Sequence, residues 1–350
     1  MLRTGARASA LLAVVSCAGL LAAGAQAARE RTTGPDPHSW YSFAPYSDLT
    51  SYPPPDLATI RRAAGVKDVT LAFVTAEDNS RCTPAWGGYG SYPAYGSNAY
   101  QLAAVKRFRR AGGSVVVSFG GEAGAELATV CKSVKALESA YQQVISAYGA
   151  THADFDIEGA DNADFAAAKR RAAALAALQT TAATHGRQLD VSLTLPVLPA
   201  GLTADDKRVI ADTAGGGVSI SLVNGMAMDF GDAAAPHPAN RMGTYAIDVA
   251  KSLRRQLHSV WPSLPDSALQ SLIGITPMIG INDTTDEVFT LANASQLVAY
   301  TKQHKLGMLS MWQLGRDKQC AQPATTAQVL RARPALARNP QSRARATRAR

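Results

Sequence analysis

The sequence predicts an α/β protein folded as a single-domain (β/α)8 TIM barrel. Three observations carry this expectation. Eight short, apolar, β-branched runs alternate with Ala-rich helical stretches along the chain. The runs are apolar on nearly every residue, as strands are when a parallel sheet is covered on both faces. The chain has 350 residues, 47% of them hydrophobic, which suffices for one large core of this kind. A doubly wound open sheet is the alternative, but its glycine-rich phosphate-binding turn after the first strand is missing from the sequence. No periodic repeat and no inserted second domain is visible.

The elements are read in order. A strand at 41–46 (YSFAPY) is followed by a helix at 56–64, with Asp56 placed as its N-cap. The second strand, 69–76 (VTLAFVTA), leads through a Gly- and Tyr-rich loop to a helix at 99–111. The third strand is 114–119 (SVVVSF), with a helix at 133–148. The fourth is 153–158 (ADFDIE), before a long Ala-rich helix at 161–185. The fifth, 189–195 (LDVSLTL), precedes a helix at 203–213 capped by Thr203. The sixth, 217–224 (GVSISLVN), precedes a helix at 240–258 for which Asn240 is the expected cap. The seventh and eighth, 272–279 (LIGITPMI) and 307–312 (GMLSMW), flank a helix at 294–304, and a last helix is read near 324–333.

The chain ends differ from this body. Residues 1–27 read as a secretory signal: Arg3 and Arg7 open it, Ala10 to Ala23 form its apolar centre, and Ala25-Gln26-Ala27 is a small-x-small cleavage site. A secreted protein is therefore expected. Residues 28–39 are a polar lead-in, the barrel domain is placed at 40–322, and 323–350 hold the last helix and a tail. The net charge of +8 belongs to the ends, because residues 331–350 carry seven Arg and no acid. Without these and the two signal Arg, residues 28–330 carry a net charge of −1. The Arg- and Pro-containing tail reads as a disordered, solubilising extension. No nucleic-acid partner is expected, no later stretch is long and apolar enough for a membrane span, and a monomer is the default. Cys17 leaves with the signal. Cys82 and Cys131 each follow a predicted strand and would emerge at the same barrel end, so they are expected to pair, leaving Cys320 a spare thiol. The sequence has no Cys-x-x-Cys pair and its six His are scattered, so neither zinc nor any other cofactor is expected.

Residues 153–159, Ala-Asp-Phe-Asp-Ile-Glu-Gly, hold the most informative pattern. Asp154, Asp156 and Glu158 alternate along the fourth strand, so their carboxyls share one face. Residues 156 and 158 would stand about 6.6 Å apart along the strand. Three acids on one buried face desolvate and repel one another, which raises a pKa and keeps one carboxyl protonated near neutral pH. Acid-assisted glycosidic cleavage needs such a group. A solvated acidic edge, or a hard-cation site of oxygen ligands, is the competing reading of these residues alone.

In a barrel of this type the chemistry sits at the C-terminal ends of the strands. Those ends gather Tyr46 and Asp48, then Trp86, Tyr89, Tyr92 and Tyr95, then Ser118-Phe119-Gly120-Gly121-Glu122. Asn224, Met226, Met228 and Asp229 follow from strand six, Pro277 and Met278 from strand seven, and Trp312 and Gln313 from strand eight. Aromatic faces suit sugar rings, and acids and amides suit their hydroxyls. Tyr46, Trp86, Asn224, Met226, Met228 and Gln313 are the added candidates for sugar contact.

SFGG at 118–121 followed by DFDIEG at 154–159 resembles glycoside hydrolase family 18, the chitinases and endo-β-N-acetylglucosaminidases. MAMDFG at 226–231, GITPMIGIND at 274–283 and MLSMWQLGRD at 308–317 are similar to its bacterial chitinase D-like branch. The resemblance covers about residues 40–320. It implies a substrate-assisted retaining mechanism on chitin or N-acetylglucosamine oligosaccharides. Glu158 would be general acid and then base, and the substrate's N-acetyl oxygen would be the nucleophile. Asp156 would orient the acetamido group, and Asp154 would support Asp156. Asp229 would contact the acetamido group, and Trp312 would floor the reacting sugar. Ser118, Gly120 and Gly121 would be scaffold of the site. The sequence departs from the family pattern at Thr151, where many members carry Asp, and at Met228, where many carry Tyr. Two other readings use the same residues: cleavage of the chitobiose core of N-glycans, and a non-catalytic chitin-binding or inhibitor protein on this fold.

Overall fold

The computed structural model describes residues 43–318. The signal, the lead-in, the last helix, Cys320 and the Arg-rich tail lie outside the described residues. In chain order the strands are β1 (Tyr46–Asp48), β2 (Asp68–Glu77), β3 (Arg81–Trp86), β4 (Ser114–Gly120), β5 (His152–Asp156) and β6 (Asp190–Pro196). β7 (Leu222–Ala227), β8 (Ile273–Pro277), β9 (Gly280–Ile281), β10 (Val288–Phe289) and β11 (Met308–Leu309) complete them. The helices are α1 (Leu57–Ala64), α2 (Leu102–Arg110), α3 (Leu127–Val130), α4 (Val134–Tyr148) and α5 (Phe165–Thr184). α6 (Ala204–Gly215), α7 (Met242–Val260), α8 (Asp266–Ser271) and α9 (Leu291–His304) follow.

Eight parallel strands run in the order β1-β2-β4-β5-β6-β7-β8-β11. Phe43 bridges Leu309 in parallel, and the Ala44 amide donates to the Leu309 carbonyl at 3.1 Å, so the last strand meets the first and the barrel closes. The helices cover its outside, as a parallel sheet requires. Period-two alternation divides each strand between two environments. On β5, Phe155 faces the helix layer, stacked on Phe119 at 5.3 Å and edge-on to Tyr141 of α4. The residues between face the barrel axis: His152, Asp154 and Asp156 are all buried.

Local chemistry sets the helix ends. Asp56 caps α1 through the Ala58 and Thr59 amides, as the sequence suggests. Thr203 with Asp206, and Thr290 with Asn293, form reciprocal capping boxes on α6 and α9. Asn240 is not the cap of α7; that position is Arg241, with no side-chain cap bond, and the Asn240 carbonyl instead accepts from Asn293 at 3.1 Å.

Three strand expectations need correction. Among the described residues the barrel bonds of the first strand run from Phe43 to Asp48, so it extends past the expected end at 46. Strand six begins at Leu222, not 217. Val218 and Ile220 are buried in the approach to it, and apolarity alone does not separate an approach from a strand. β3 is an unforeseen hairpin partner of β2, paired antiparallel from Val74–Trp86 to Glu77–Arg81. Cys82 on β3 pairs with Cys131 at the end of α3, as expected, with Cα atoms 4.8 Å apart.

Candidate active site

The acid-bearing strand ends inside a cradle built by its neighbours. β4 closes onto β5 through Gly120 and Gly121, both at positive φ (+99° and +87°). The Gly121 amide donates to the Asp156 carbonyl at 2.9 Å. A Cβ on Gly120 would lie 2.0 Å from that oxygen, and one on Gly121 would lie 2.6 Å from the Phe73 ring. Only glycine permits this approach.

Asp154 lies deepest and receives four hydroxyls. Ser192 (2.5 Å) and Thr194 (2.8 Å) donate to Oδ1. Ser118 (2.6 Å) and Tyr46 (3.0 Å) donate to Oδ2. Burial pushes the Asp154 carboxyl up, and these donors pull it back toward the anion. Asp156 has no such cradle. Burial, Glu158 and Asp154 push it well above the usual carboxylate range, and it shares a hydrogen bond with Glu158. Its buried Oδ1 has no hydrogen-bond partner among the described residues. Glu158 follows the strand in extended conformation and is pushed up to about 7, chiefly by burial and then by the Glu122 charge. Burial and the two aspartates also raise Tyr46, which stays a neutral phenol.

These groups open into a cleft of about 740 Å³ at the C-terminal ends of the strands. Its aromatic part is Trp312, stacked on Phe73 at 5.4 Å and edge-on to Tyr46 at 5.8 Å. Met226, Met228, Met278, Pro196, Val197 and Leu198 form an apolar wall, and Thr194, Thr203, Thr276 and Thr284 add hydroxyls. Glu122, Asp229 and Asp283 join Asp156 and Glu158 as acids of the lining. Asp229 has a left-handed backbone (φ 49°), and its Oδ1 accepts from the Thr284 amide at 2.7 Å. Glu287 fixes the same corner by accepting from the Phe230 (3.1 Å) and Gly231 (2.8 Å) amides.

Glu158, Asp156, Asp229, Trp312, Met226, Met228 and Tyr46 thus line one cleft, with Asp154 and Ser118 directly beneath. Three of the expected sugar contacts are elsewhere. Trp86 is fully buried against α4, its Nε1 donating to the Tyr148 hydroxyl at 2.7 Å. The hairpin turns it into the core, and Tyr92 packs on Tyr89 and Tyr100 rather than lining the cleft. Asn224 is buried below the cleft floor, because strand six starts later than expected and sets this residue mid-strand. Gln313 turns back to accept from the Gly315 amide at 3.3 Å. Asp48 likewise serves its own turn, accepting from the Thr50 amide at 2.8 Å.

The sequence reading missed Phe73, Ser192 and Thr194. Ser192 and Thr194 alternate on strand five as the acids do on strand four, so the same period-two test finds them. Phe73 sits where the pairing of β2 with β4 shifts register, between Leu71 and Val74. Such an irregularity re-aims a side chain and leaves no trace in composition.

No protein-family model matches the chain. It is 36% identical over 280 residues to the probable bifunctional chitinase/lysozyme of Escherichia coli (strain K12), covering 79% of this chain and 31% of that protein. It is 35% identical over 280 residues to endochitinase 11 of Metarhizium anisopliae, covering 79% of this chain and 52% of that one. The chain therefore spans about a third and about half of these two relatives. Among solved structures it resembles active domain 2 of a thermostable chitinase from Pyrococcus furiosus, in catalytic-site mutants complexed with chito-oligosaccharides. That likeness has 32% identity and a TM-score of 0.70, over 84% of this chain and 90% of that one.

Proposed function

The chain belongs to glycoside hydrolase family 18, in the chitinase group, and on that premise we propose that it is a secreted chitinase cleaving β-1,4-linked N-acetylglucosamine chains. One feature carries the reading: Glu158 and Asp156 line the cleft side by side, and burial with neighbouring carboxylates pushes both carboxyls up, Glu158 to about 7. Glu158 protonates the glycosidic oxygen as the C1–O bond breaks. The carbonyl oxygen of the substrate's N-acetyl group closes on C1 from the opposite face, and the leaving sugar departs neutral. Water then adds to C1 as the bond from C1 to the acetamido oxygen breaks and the N-acetyl group is restored; the water gives its proton to the Glu158 carboxylate, regenerating the acid.

The electrostatics favour a nucleophile from the substrate. A two-carboxylate retaining enzyme needs an ionised second acid beside C1. Burial, Glu158 and Asp154 push Asp156, the acid hydrogen-bonded to Glu158, well above the usual carboxylate range, which disfavours its ionised form. Its unpartnered Oδ1 suits the acetamido N–H. Trp312 and Phe73 offer an apolar floor, and Asp229 an acceptor opposite. We further place the chain in the chitinase D-like branch on its MAMDFG and MLSMWQLGRD segments, and assign residues 1–27 to export.

The test is product analysis of N-acetylglucosamine oligomers incubated with the protein and with Glu158→Gln, each with and without chelator. Cleavage by the parent alone, unaffected by chelator, is expected. Binding without cleavage by the parent points to a lectin or inhibitor, and inertness toward these oligomers redirects the search to N-glycans.

A further inference from the structure

His152 lies two residues before Asp154 on the axial face of β5, and nothing in the mechanism above uses it. Its Nε2 is 2.8 Å from Ser192 Oγ, and Ser192 Oγ is 2.5 Å from Asp154 Oδ1. A serine hydroxyl has one proton to give. Between a carboxylate and an imidazole nitrogen, that proton goes to the charged acceptor at the shorter distance. The other contact of Ser192 must then be one it receives, so His152 carries its proton on Nε2.

The opposite side of the cradle has the same sense. Thr276 donates to Asn224 Oδ1 at 2.9 Å, which orients that amide. Asn224 Nδ2 donates to Thr194 at 3.1 Å, and Thr194 donates to Asp154 at 2.8 Å. Two nitrogen donors, one on each flank, therefore set the direction of the hydroxyls converging on one carboxylate. All the protons point inward, an arrangement that suits an anion and leaves no place for a proton on Asp154.

We propose that His152 is a positioning residue for the reaction: by donating to Ser192 it fixes the hydrogen-bond sense that keeps Asp154 ionised and leaves the aspartate pair's proton on Asp156, beside Glu158. The proposal rests on Glu158 being the acid, but its consequence is readable without turnover. Burial lowers the His152 imidazole to about 3, so it stays the neutral one-proton donor that the chain requires. Among the described residues, the titratable side chains of β5 and the strands paired with it are Asp154 and Asp156 on β5 itself and Asp190 on β6, whose Oδ1 accepts from Gln188 at 2.9 Å; β4 presents Val116 in register.

When the donor is lost, Asp154 holds its charge less well, part of the proton moves to it from Asp156, and the charge appearing on Asp156 raises Glu158. The experiment is a carbon-13 NMR titration of the Glu158 carboxyl, assigned with Glu158→Gln, in the full-length protein. It compares the parent with His152→Leu, Ser192→Ala and His152→Gln, whose amide can replace the Nε2 donor. The Glu158 midpoint should rise in His152→Leu and Ser192→Ala and return to the parent value in His152→Gln. In turnover, the alkaline limb should move with it, kcat/KM should fall about tenfold and KM should hold, as loss or weakening of the Ser192 bond to the Asp154 carboxylate implies. The double variant His152→Leu/Ser192→Ala should shift no further than either alone, since both act through one hydroxyl. A parent-like Glu158 midpoint in both single variants, whatever their melting temperatures, overturns the proposal. So does a shift that His152→Gln does not reverse. Ser192→Ala removes only a hydroxyl, so the question stays answerable if His152→Leu fails to fold.

Discussion

Glu158 keeps its proton up to about 7 because burial strips water from its carboxylate and Glu122 adds a like charge. As pH rises through that value the acid is lost, so kcat/KM on chito-oligosaccharides should fall on the alkaline side of about 7. A pH profile flat to well above that limb contradicts the assignment. The same shift has a cost in stability. An unfolded Glu titrates near 4.5, so the folded state holds this proton more tightly than the unfolded chain does. The stability from that proton is present at low pH and is lost as pH rises through about 7. Glu158→Gln should therefore raise Tm relative to the parent more at pH 8 than at pH 5; an equal gain at both would place the pressure elsewhere. The two tryptophans expected at the site, Trp86 and Trp312, separate in the same way. Trp312→Ala should raise KM with little change in Tm, whereas Trp86→Ala should destabilise by about 3–5 kcal/mol, seen as a lower denaturation midpoint. The acid triad was legible because a strand's period is two and three acids kept it. Trp86 was not, because composition does not say which way a hairpin turns an aromatic residue.

At the scale of elements, the hairpin and the short α3 are joined by the Cys82–Cys131 bridge, which spans 49 residues. Constraining the unfolded chain over that length contributes about 4 kcal/mol in the chain-entropy model. Cys82→Ser/Cys131→Ser should lower the denaturant midpoint accordingly, and an unchanged midpoint would show the bridge to be dispensable. The bridge was readable from two cysteines following neighbouring strands, although β3 itself was not. Its Pro84 and its exposed start break the apolar pattern by which the barrel strands were found. Gly120 is a tight joint between two elements, with a Cβ clash of 2.0 Å against backbone at φ +99°. Gly120→Ala should fail to fold as the parent does, or should lose the cleft, by circular dichroism and oligosaccharide binding. The late start of strand six explains how Asn224 came to be expected at the rim: its neighbours Val218 and Ile220 are as apolar as a strand, yet they pack in the approach.

For the whole molecule, alternation of short apolar runs with helices was enough to indicate a closed parallel barrel, since covering both faces of eight strands leaves few other arrangements. The position of the site followed from that topology, which brings strand ends far apart in sequence around one opening. The hydroxyl cradle under Asp154 did not follow, because it assembles Tyr46, Ser118, Ser192 and Thr194 from three strands, and each alone is an ordinary residue. The central claim is that these parts hold one acid protonated while the substrate's own acetamido group attacks. The most direct test is the anomeric configuration of the first product released from N-acetylglucosamine oligomers, followed by proton NMR before mutarotation. The β-anomer is expected, since attack by the acetamido oxygen and then by water inverts C1 twice. Release of the α-anomer would mean a single direct attack by water and would contradict the mechanism built on Asp156 and Glu158.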